Sequence, residues 1–159
     1  MSYFPDLSAY TYLHEDIVGE GRGRISYRPR YERRNVGWLD AAHPFERGAV
    51  PEGFADALRG IIGNPTVNQT RGFHECELCP PGAEDVAVPG RGGGSSRASF
   101  EIRVPGAGGS MFAAPVMVWH YVTAHEYRPP VQFVEAVRQY DAGWAADGSP
   151  WIPADAEHS

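Results

Sequence analysis

The stretch RGFHECELCPPG, residues 71–82, holds both cysteines of the chain and one of its six histidines. Cys76 and Cys79 have the C-x-x-C spacing with which a tight turn directs two sulfur atoms at one metal ion. Residues 80–82, Pro-Pro-Gly, supply the turn that follows. The stretch therefore predicts a zinc knuckle that organises this part of the fold. Because a knuckle is half of a four-coordinate site, two further ligands must come from elsewhere.

The missing ligands are predicted on a helix that carries two histidines. PVMVWHYVTAHEY, residues 115–127, reads as a helix with a proline in its first turn and two prolines after it. It offers His120 and His125, which are about 140° apart around a regular helix. His125 lies near the helix end, where the last turn can adjust. We predict a Cys2His2 zinc site formed by Cys76, Cys79, His120 and His125.

His74 competes for a place in this ligand set. In an extended stretch, residues two apart point to the same side, so His74 and Cys76 can face one ion. If His74 binds, either His120 or His125 lies outside the ligand set or the ion keeps an open position. His74, as a proton shuttle, and Arg71, as a group for an anionic substrate, are then the candidate catalytic residues.

Two interpretations of the cysteines need no metal. They can be small buried hydrophobic residues, or a redox pair of the thioredoxin type. The prolines at 80 and 81 do not suit the helix N-terminus at which such a redox pair normally lies. Chance also seldom places the only two cysteines of a chain at this spacing, so we favour the metal site.

Composition limits the class of protein. The chain has 159 residues, 42% of them apolar, and a net charge of -6, which fits one domain with a hydrophobic core. The acidic balance argues against a nucleic-acid backbone as the main partner. We expect neither a membrane span nor a signal peptide, because no long apolar run and no basic leader are present. The expected location is the cytoplasm, where thiols stay reduced.

Periodicity predicts an α+β fold with a small antiparallel sheet, about three helices, and the zinc knuckle joined to one of them. The predicted helices are residues 51–62, 115–127 and 130–140. Strands are expected at 35–40 and at 97–104, where Phe100, Ile102 and Val104 face the core and Glu101 and Arg103 face away, with 110–114 as a hairpin partner. Residues 1–145 form the predicted single domain, and 146–159 a partly docked tail whose last six residues are free.

Three further segments complete this outline. The aromatic arm at residues 3–12 is expected to lie against the domain. The arginine-rich segment 19–34 is interpreted as a solvated strand or loop. The glycine-rich segment 80–94 is interpreted as a connection, since it lacks the G-K-[ST] ending of a phosphate loop.

Four motifs together resemble one uncharacterised family of small soluble bacterial proteins, a domain of unknown function. They are YFPDLSAYTY (3–12), NVGWLD (35–40), RGFHECELC (71–79) and APVMVWHYVTAHEYRPPVQFVEAV (114–137). The resemblance spans roughly residues 1–140 and implies no activity. It does imply that certain residues belong to one shared pattern: Arg71, His74, Cys76, Cys79, His120, His125 and Tyr127.

We therefore predict a small zinc-binding protein whose site is structural and whose binding role concerns an unidentified protein or small molecule. One alternative is a zinc-dependent hydrolase, lyase or deaminase with three protein ligands and an open position for water. The second alternative is a nucleic-acid-binding zinc protein. We rank it last because the histidine-bearing helix contains no arginine with which to read bases.

Overall fold

The computed structural model describes residues 3–20, 23–63, 65–69, 76–80 and 100–159. The helices are α1 (Phe54–Ile61), α2 (Val118–His125) and α3 (Val131–Arg138). The strands are β1 (Asp16–Glu20), β2 (Gly23–Tyr27), β3 (Glu32–Asn35), β4 (Thr66–Val67), β5 (Glu101–Pro105), β6 (Ser110–Pro115) and β7 (Glu157–His158). Within these ranges, no helix combines the length and hydrophobicity needed to span a bilayer.

The α+β class is confirmed. The described strands form one seven-stranded sheet in the order β3-β6-β5-β4-β1-β2-β7. Adjacent strands are antiparallel except β3 and β6, which run parallel. The sheet is therefore mixed and larger than the small antiparallel sheet that the sequence predicts. The predicted hairpin is present: β5 pairs with β6 from Glu101–Pro115 to Pro105–Met111.

The three helices cover one face of this sheet. Their apolar stripes are the predicted ones: Phe54, Leu58 and Ile61 on α1, and Phe133, Val134 and Val137 on α3, are all buried. They share one core cluster with Phe100, Ile102 and Val104 of the hairpin region. Burial of such side chains contributes about 1.5–3 kcal/mol each, which makes this layer the main source of stability.

The other face of the hairpin is buried too, which corrects the half-exposed strand expected at 97–104. Arg103 is 1% exposed and Glu101 is 7% exposed. Arg103 donates from Nη2 to Asp16 at 2.8 Å and from Nη1 to Glu101 at 2.9 Å. Arg33 adds a donor to Asp16 at 3.0 Å, and the Tyr10 hydroxyl donates to Glu101 at 2.9 Å. This buried charge network joins β1, β3, β5 and the N-terminal arm.

The arginine-rich segment agrees in part with the interpretation as a solvated strand or loop. β2 and β3 lie in it, and Arg24, Arg28 and Arg30 are exposed, but the Arg33 side chain is only 10% exposed. Its guanidinium lies 4.5 Å from the centre of the Tyr10 ring. Charge and aromatic contact together let arginine enter the interior here.

The strand predicted at 35–40 is displaced. β3 ends at Asn35, and residues 36–40 form an irregular segment whose Val36, Trp38 and Leu39 are nevertheless buried. Gly37 explains the change, because its φ of 79° breaks the extended run. A Cβ at this position would lie 2.8 Å from the Val118 side chain at the start of α2. Glycine thus allows this segment to approach α2 closely.

Both chain ends lie against the sheet. In the aromatic arm, Tyr10 is 4% exposed and Phe4 makes an edge contact with Trp38. In the tail, Trp144 is buried and Trp151 contacts Tyr31 edge-on. The expectation that the last six residues are free is wrong, because β7 pairs with β2 through Glu157 and His158.

The buried charge network predicts a large effect of Asp16→Asn. This change leaves Arg33 and Arg103 with less compensating charge in the interior, so we expect a loss of about 3 kcal/mol or more in the free energy of unfolding, measured by urea denaturation. The matched control is Asp155→Asn, whose ion pair with Arg30 is exposed (74% and 73%). Asp155→Asn should lower the free energy of unfolding by less than about 1 kcal/mol. Equal effects would contradict the assigned role of the network.

The difference in the free energy of unfolding between wild type and Asp16→Asn should depend on pH. Burial alone would raise the pKa of Asp16, but the charges and hydrogen bonds of Arg103 and Arg33 outweigh burial and hold that pKa below its usual value. A lowered pKa stabilises the fold fully above the pKa of the unfolded chain, about 3.9. The contribution disappears as pH falls through the folded value. The stability difference between wild type and Asp16→Asn should therefore be constant above about pH 5 and shrink below about pH 4.

Candidate metal centre

Four residues from two distant parts of the chain meet beside α2. The described knuckle residues provide Cys76 and Cys79, and α2 provides His120 and His125. One potential ligand atom from each lies within 4.8 Å of the others. The structure thus brings together all four residues of the predicted Cys2His2 set.

Four of the six separations between these atoms fit tetrahedral coordination. The Nε2 atoms of His120 and His125 are 3.2 Å apart. Sulfur-to-nitrogen distances are 3.3 Å for Cys79–His120, 3.4 Å for Cys76–His125 and 3.5 Å for Cys79–His125. Zinc bonds of about 2.0–2.1 Å to nitrogen and 2.3 Å to sulfur require about 3.3 Å between nitrogens and about 3.6 Å between sulfur and nitrogen in a tetrahedron. The observed edges agree within about 0.3 Å.

The end of α2 explains how two histidines five residues apart can converge. His125 is the last helical residue, and Glu126 follows in the left-handed conformation with φ 58°. The backbone N–H of Tyr127 donates to the Tyr121 carbonyl at 3.1 Å, which closes the helix in the manner of a Schellman motif. Both rings use Nε2, the nitrogen farthest from the backbone, and so meet beyond this terminus with planes at 83°.

α2 begins later and ends earlier than the predicted helix. It starts at Val118 because Pro115 is the last residue of β6, and it stops at His125, before the prolines that were expected to end it. The change places His120 in the first turn and His125 in the last. His120 is 1% exposed, whereas His125 is half-buried.

The knuckle is anchored in the hydrophobic core. Cys76 is 8% exposed and belongs to the cluster formed by α1, α2 and α3, while Leu78 and Cys79 lie against that cluster. Residues 77 and 78 form the turn between the two sulfurs. Both cysteines are free of disulfide bonds, so both sulfurs are available as ligands.

Burial sets the protonation of these groups in the absence of an ion. It lowers the pKa of His120 to about 4, helped by the nearby His125, and it lowers the pKa of His125, helped by Arg47. Both imidazoles are therefore neutral at pH 7, as ligands must be. Burial raises the pKa of Cys76 to about 11, so this thiol needs a cation in order to ionise.

Among the described residues, one buried atom of the site has no hydrogen-bond partner. Nδ1 of His120 makes no hydrogen bond to any part of the chain that the structure describes. An unsatisfied buried N–H costs about 1–3 kcal/mol. A metal bond at Nε2 would offset this cost, although ligating histidines usually donate the other N–H to an acceptor.

The chain that follows His125 is held by two segments. The Tyr127 hydroxyl donates to Asp6 at 2.7 Å, and the other Asp6 oxygen accepts from the Gly37 N–H at 3.0 Å. Backbone bonds of 3.0 and 2.9 Å join Gly48 to Glu126 and Arg128 to Glu46. The arm and residues 46–48 therefore fix the end of α2 and, with it, the position of His125.

Comparison with known proteins agrees with the resemblance to a domain of unknown function. The profile of one family, a domain of unknown function (DUF7919), matches residues 2–138. The chain belongs to the DUF7919 family. Neither the curated proteins nor the solved structures give a match. The four clustered residues of this DUF7919 chain all lie inside the matched range, whereas β7 and most of the tail lie outside it.

Two residues near the centre, Asp6 and Arg47, were not predicted from the sequence. Two predicted candidates lie outside the described residues. Asp6 lies in the aromatic arm motif, but nothing in the sequence pairs it with Tyr127, 121 positions away. Arg47 lies in a segment without periodicity, so no pattern pointed to it. His74 and Arg71, the candidate catalytic residues, lie outside the described residues.

Cobalt substitution should reveal the geometry of this centre. Co²⁺ added to the metal-free protein should show the strong visible absorption of tetrahedral coordination together with sulfur-to-metal charge transfer, if the two thiols and two imidazoles bind it. Cys79→Ser should reduce the charge-transfer band. His43→Ala, at an exposed histidine paired with Asp40, should leave the spectrum unchanged. The weak absorption of octahedral cobalt would contradict the assigned ligands.

Proposed function

We propose that this chain is a cytoplasmic zinc-binding protein whose Cys2His2 site is structural and whose working surface, for a protein or small-molecule partner, lies elsewhere. The observation that carries the proposal is the cluster of four donor atoms, four of whose six separations match a tetrahedral zinc site. Closed sites with four protein ligands are generally structural, since no position is left for water or substrate.

The donor set favours zinc over other ions. Two thiolates and two imidazoles are typical zinc ligands, while Mg²⁺ and Ca²⁺ prefer oxygen. Tetrahedral S2N2 coordination also suits zinc better than the tetragonal sites of Cu²⁺ or Ni²⁺. Free thiols persist in the cytoplasm, and this supports the proposed location.

A structural role follows from the distance along the chain. Cys76 and His125 are 49 positions apart, so an ion between them closes a long loop. The relation used for disulfides gives roughly 4 kcal/mol for a loop of about this length. Folding and metal binding should therefore be coupled, because the unfolded chain has no preformed site.

The two alternatives have weaker support. A zinc enzyme needs an open coordination position, and four protein donors at tetrahedral separations leave none. A nucleic-acid-binding protein needs a basic reading surface, but α2, with the sequence VWHYVTAH, carries neither arginine nor lysine.

Metal analysis tests the proposal directly. The purified protein should contain about one zinc per chain, since it has one Cys2His2 cluster in the described residues. Ser at Cys76 or Cys79, or Ala at His120 or His125, should lower the zinc content and reduce the free energy of unfolding by about 4 kcal/mol. His43→Ala is the control and should change neither quantity. Full zinc content in the variants would overturn the ligand assignment.

A separate measurement distinguishes the structural site from the enzyme. His74→Ala should retain zinc, because the other four donors complete the coordination. Azide or cyanide, added to the Co²⁺ protein, should leave its spectrum unchanged, since no position is open for an external ligand. Loss of zinc in His74→Ala, or a spectral change with azide, would favour an open catalytic site instead.

A further inference from the structure

A cavity lies between the N-terminal arm and residues 44–46. The cavity has a volume of about 250 Å³. Aromatic rings contribute much of its wall through Tyr3, Phe4 and Phe45, and the two charged residues that line it, Asp6 and Glu46, are both acidic. Such a cavity combines apolar surface with negative charge.

Asp6 is the decisive charge in this cavity. Its two oxygens accept hydrogen bonds from Gly37 and Tyr127, yet none of the ion pairs between described residues includes it. Burial raises its pKa, so the carboxylate is held in a place that disfavours its charge. A cation in the cavity would offset this penalty. Glu46, in contrast, is 77% exposed and already pairs with Arg128 at 3.4 Å.

The aromatic rings suit a cation of one kind. The faces of aromatic rings carry negative potential and attract cations, organic ammonium groups in particular. Phe45 already makes such a contact, because the Arg47 guanidinium lies 4.6 Å from its ring centre. Inorganic cations would lose their water without gaining enough oxygen ligands here, whereas an alkylammonium group can contact rings and carboxylate together.

We propose that this cavity binds an organic ammonium group, with Asp6 as its counter-ion and Tyr3, Phe4 and Phe45 around its alkyl substituents. The inference rests on the proposed function, since it identifies the ligand class for the binding role of the structural zinc protein. The cavity and the candidate metal centre are connected through the same stretch of chain. Tyr127, which bonds to Asp6, follows the ligand His125 by two residues, and the backbone of Arg47 bridges to Tyr127 next to the cavity wall.

The experiment compares choline with its neutral isostere 3,3-dimethylbutan-1-ol, by titration calorimetry on the protein as purified, with no metal added. Choline should bind with a Kd of about 1 mM or tighter, and the isostere should bind at least about tenfold more weakly because it lacks the charge. Equal binding of the two compounds, or no choline binding, would overturn the inference. A short peptide with trimethyllysine, tested alongside, tells whether the ammonium group belongs to a free molecule or to a side chain.

Variants locate the binding. Asp6→Asn should weaken choline binding by about tenfold, and Phe45→Leu by about threefold through loss of the ring face. The matched control is Glu135→Gln, an exposed carboxylate on α3 that does not line this cavity. It should leave the affinity unchanged. If Asp6→Asn does not fold, Phe45→Leu decides the question, and unchanged affinity in a folded Phe45→Leu overturns the inference.

Zinc content, measured in the same samples, separates this inference from the proposed function. Full zinc with no choline binding overturns the cavity assignment and leaves the metal site standing. Choline binding with the expected variant effects but without zinc supports the cavity and overturns the metal assignment.

Discussion

Four electron-pair donors beside α2 impose the constraint on which much of the structure depends. Two thiols and two neutral imidazoles, with nitrogens 3.2 Å apart, can share hydrogen bonds with one another, but only a cation between them would be bound by all four donor atoms at once. Their convergence requires α2 to end at His125 and the knuckle to sit in the core. It also requires Gly37, since a side chain there would collide with the start of α2. A cation bound by the four residues would stabilise all of these local features together.

Much of this arrangement could be predicted from residue spacing and periodicity within short stretches of the sequence. The spacing of Cys76 and Cys79 and the histidine pair on one helix predicted which residues would meet, because ligand chemistry restricts the residue types and spacings that can share an ion. Helical periodicity predicted the buried faces of α1 and α3. Strict alternation predicted β5, and a glycine-rich turn predicted its hairpin partner β6.

The failures have a common physical cause. Charged residues in a strand normally indicate a solvated face, so Glu101, Arg103 and Arg33 were assigned to solvent. Asp16 is 87 positions from Arg103 along the chain, and no local sequence pattern predicts an ion pair between residues so far apart in sequence. The β1–β2 hairpin was missed for a related reason: its arginines and glycines hid the alternation. Whether such a charged side chain is buried depends on an opposite charge from a distant part of the chain, and the spacing of residues in the sequence does not show that partner.

The tail has a consequence for the sheet that reaches beyond the metal centre. Ser159 exchanges two backbone hydrogen bonds with Arg24, of 3.0 and 2.9 Å, so residues 157–159 shield the outer edge of β2. A free strand edge invites pairing with other chains and is a route to aggregation. Removing residues 157–159 would uncover that edge, so these three residues help to keep neighbouring molecules apart.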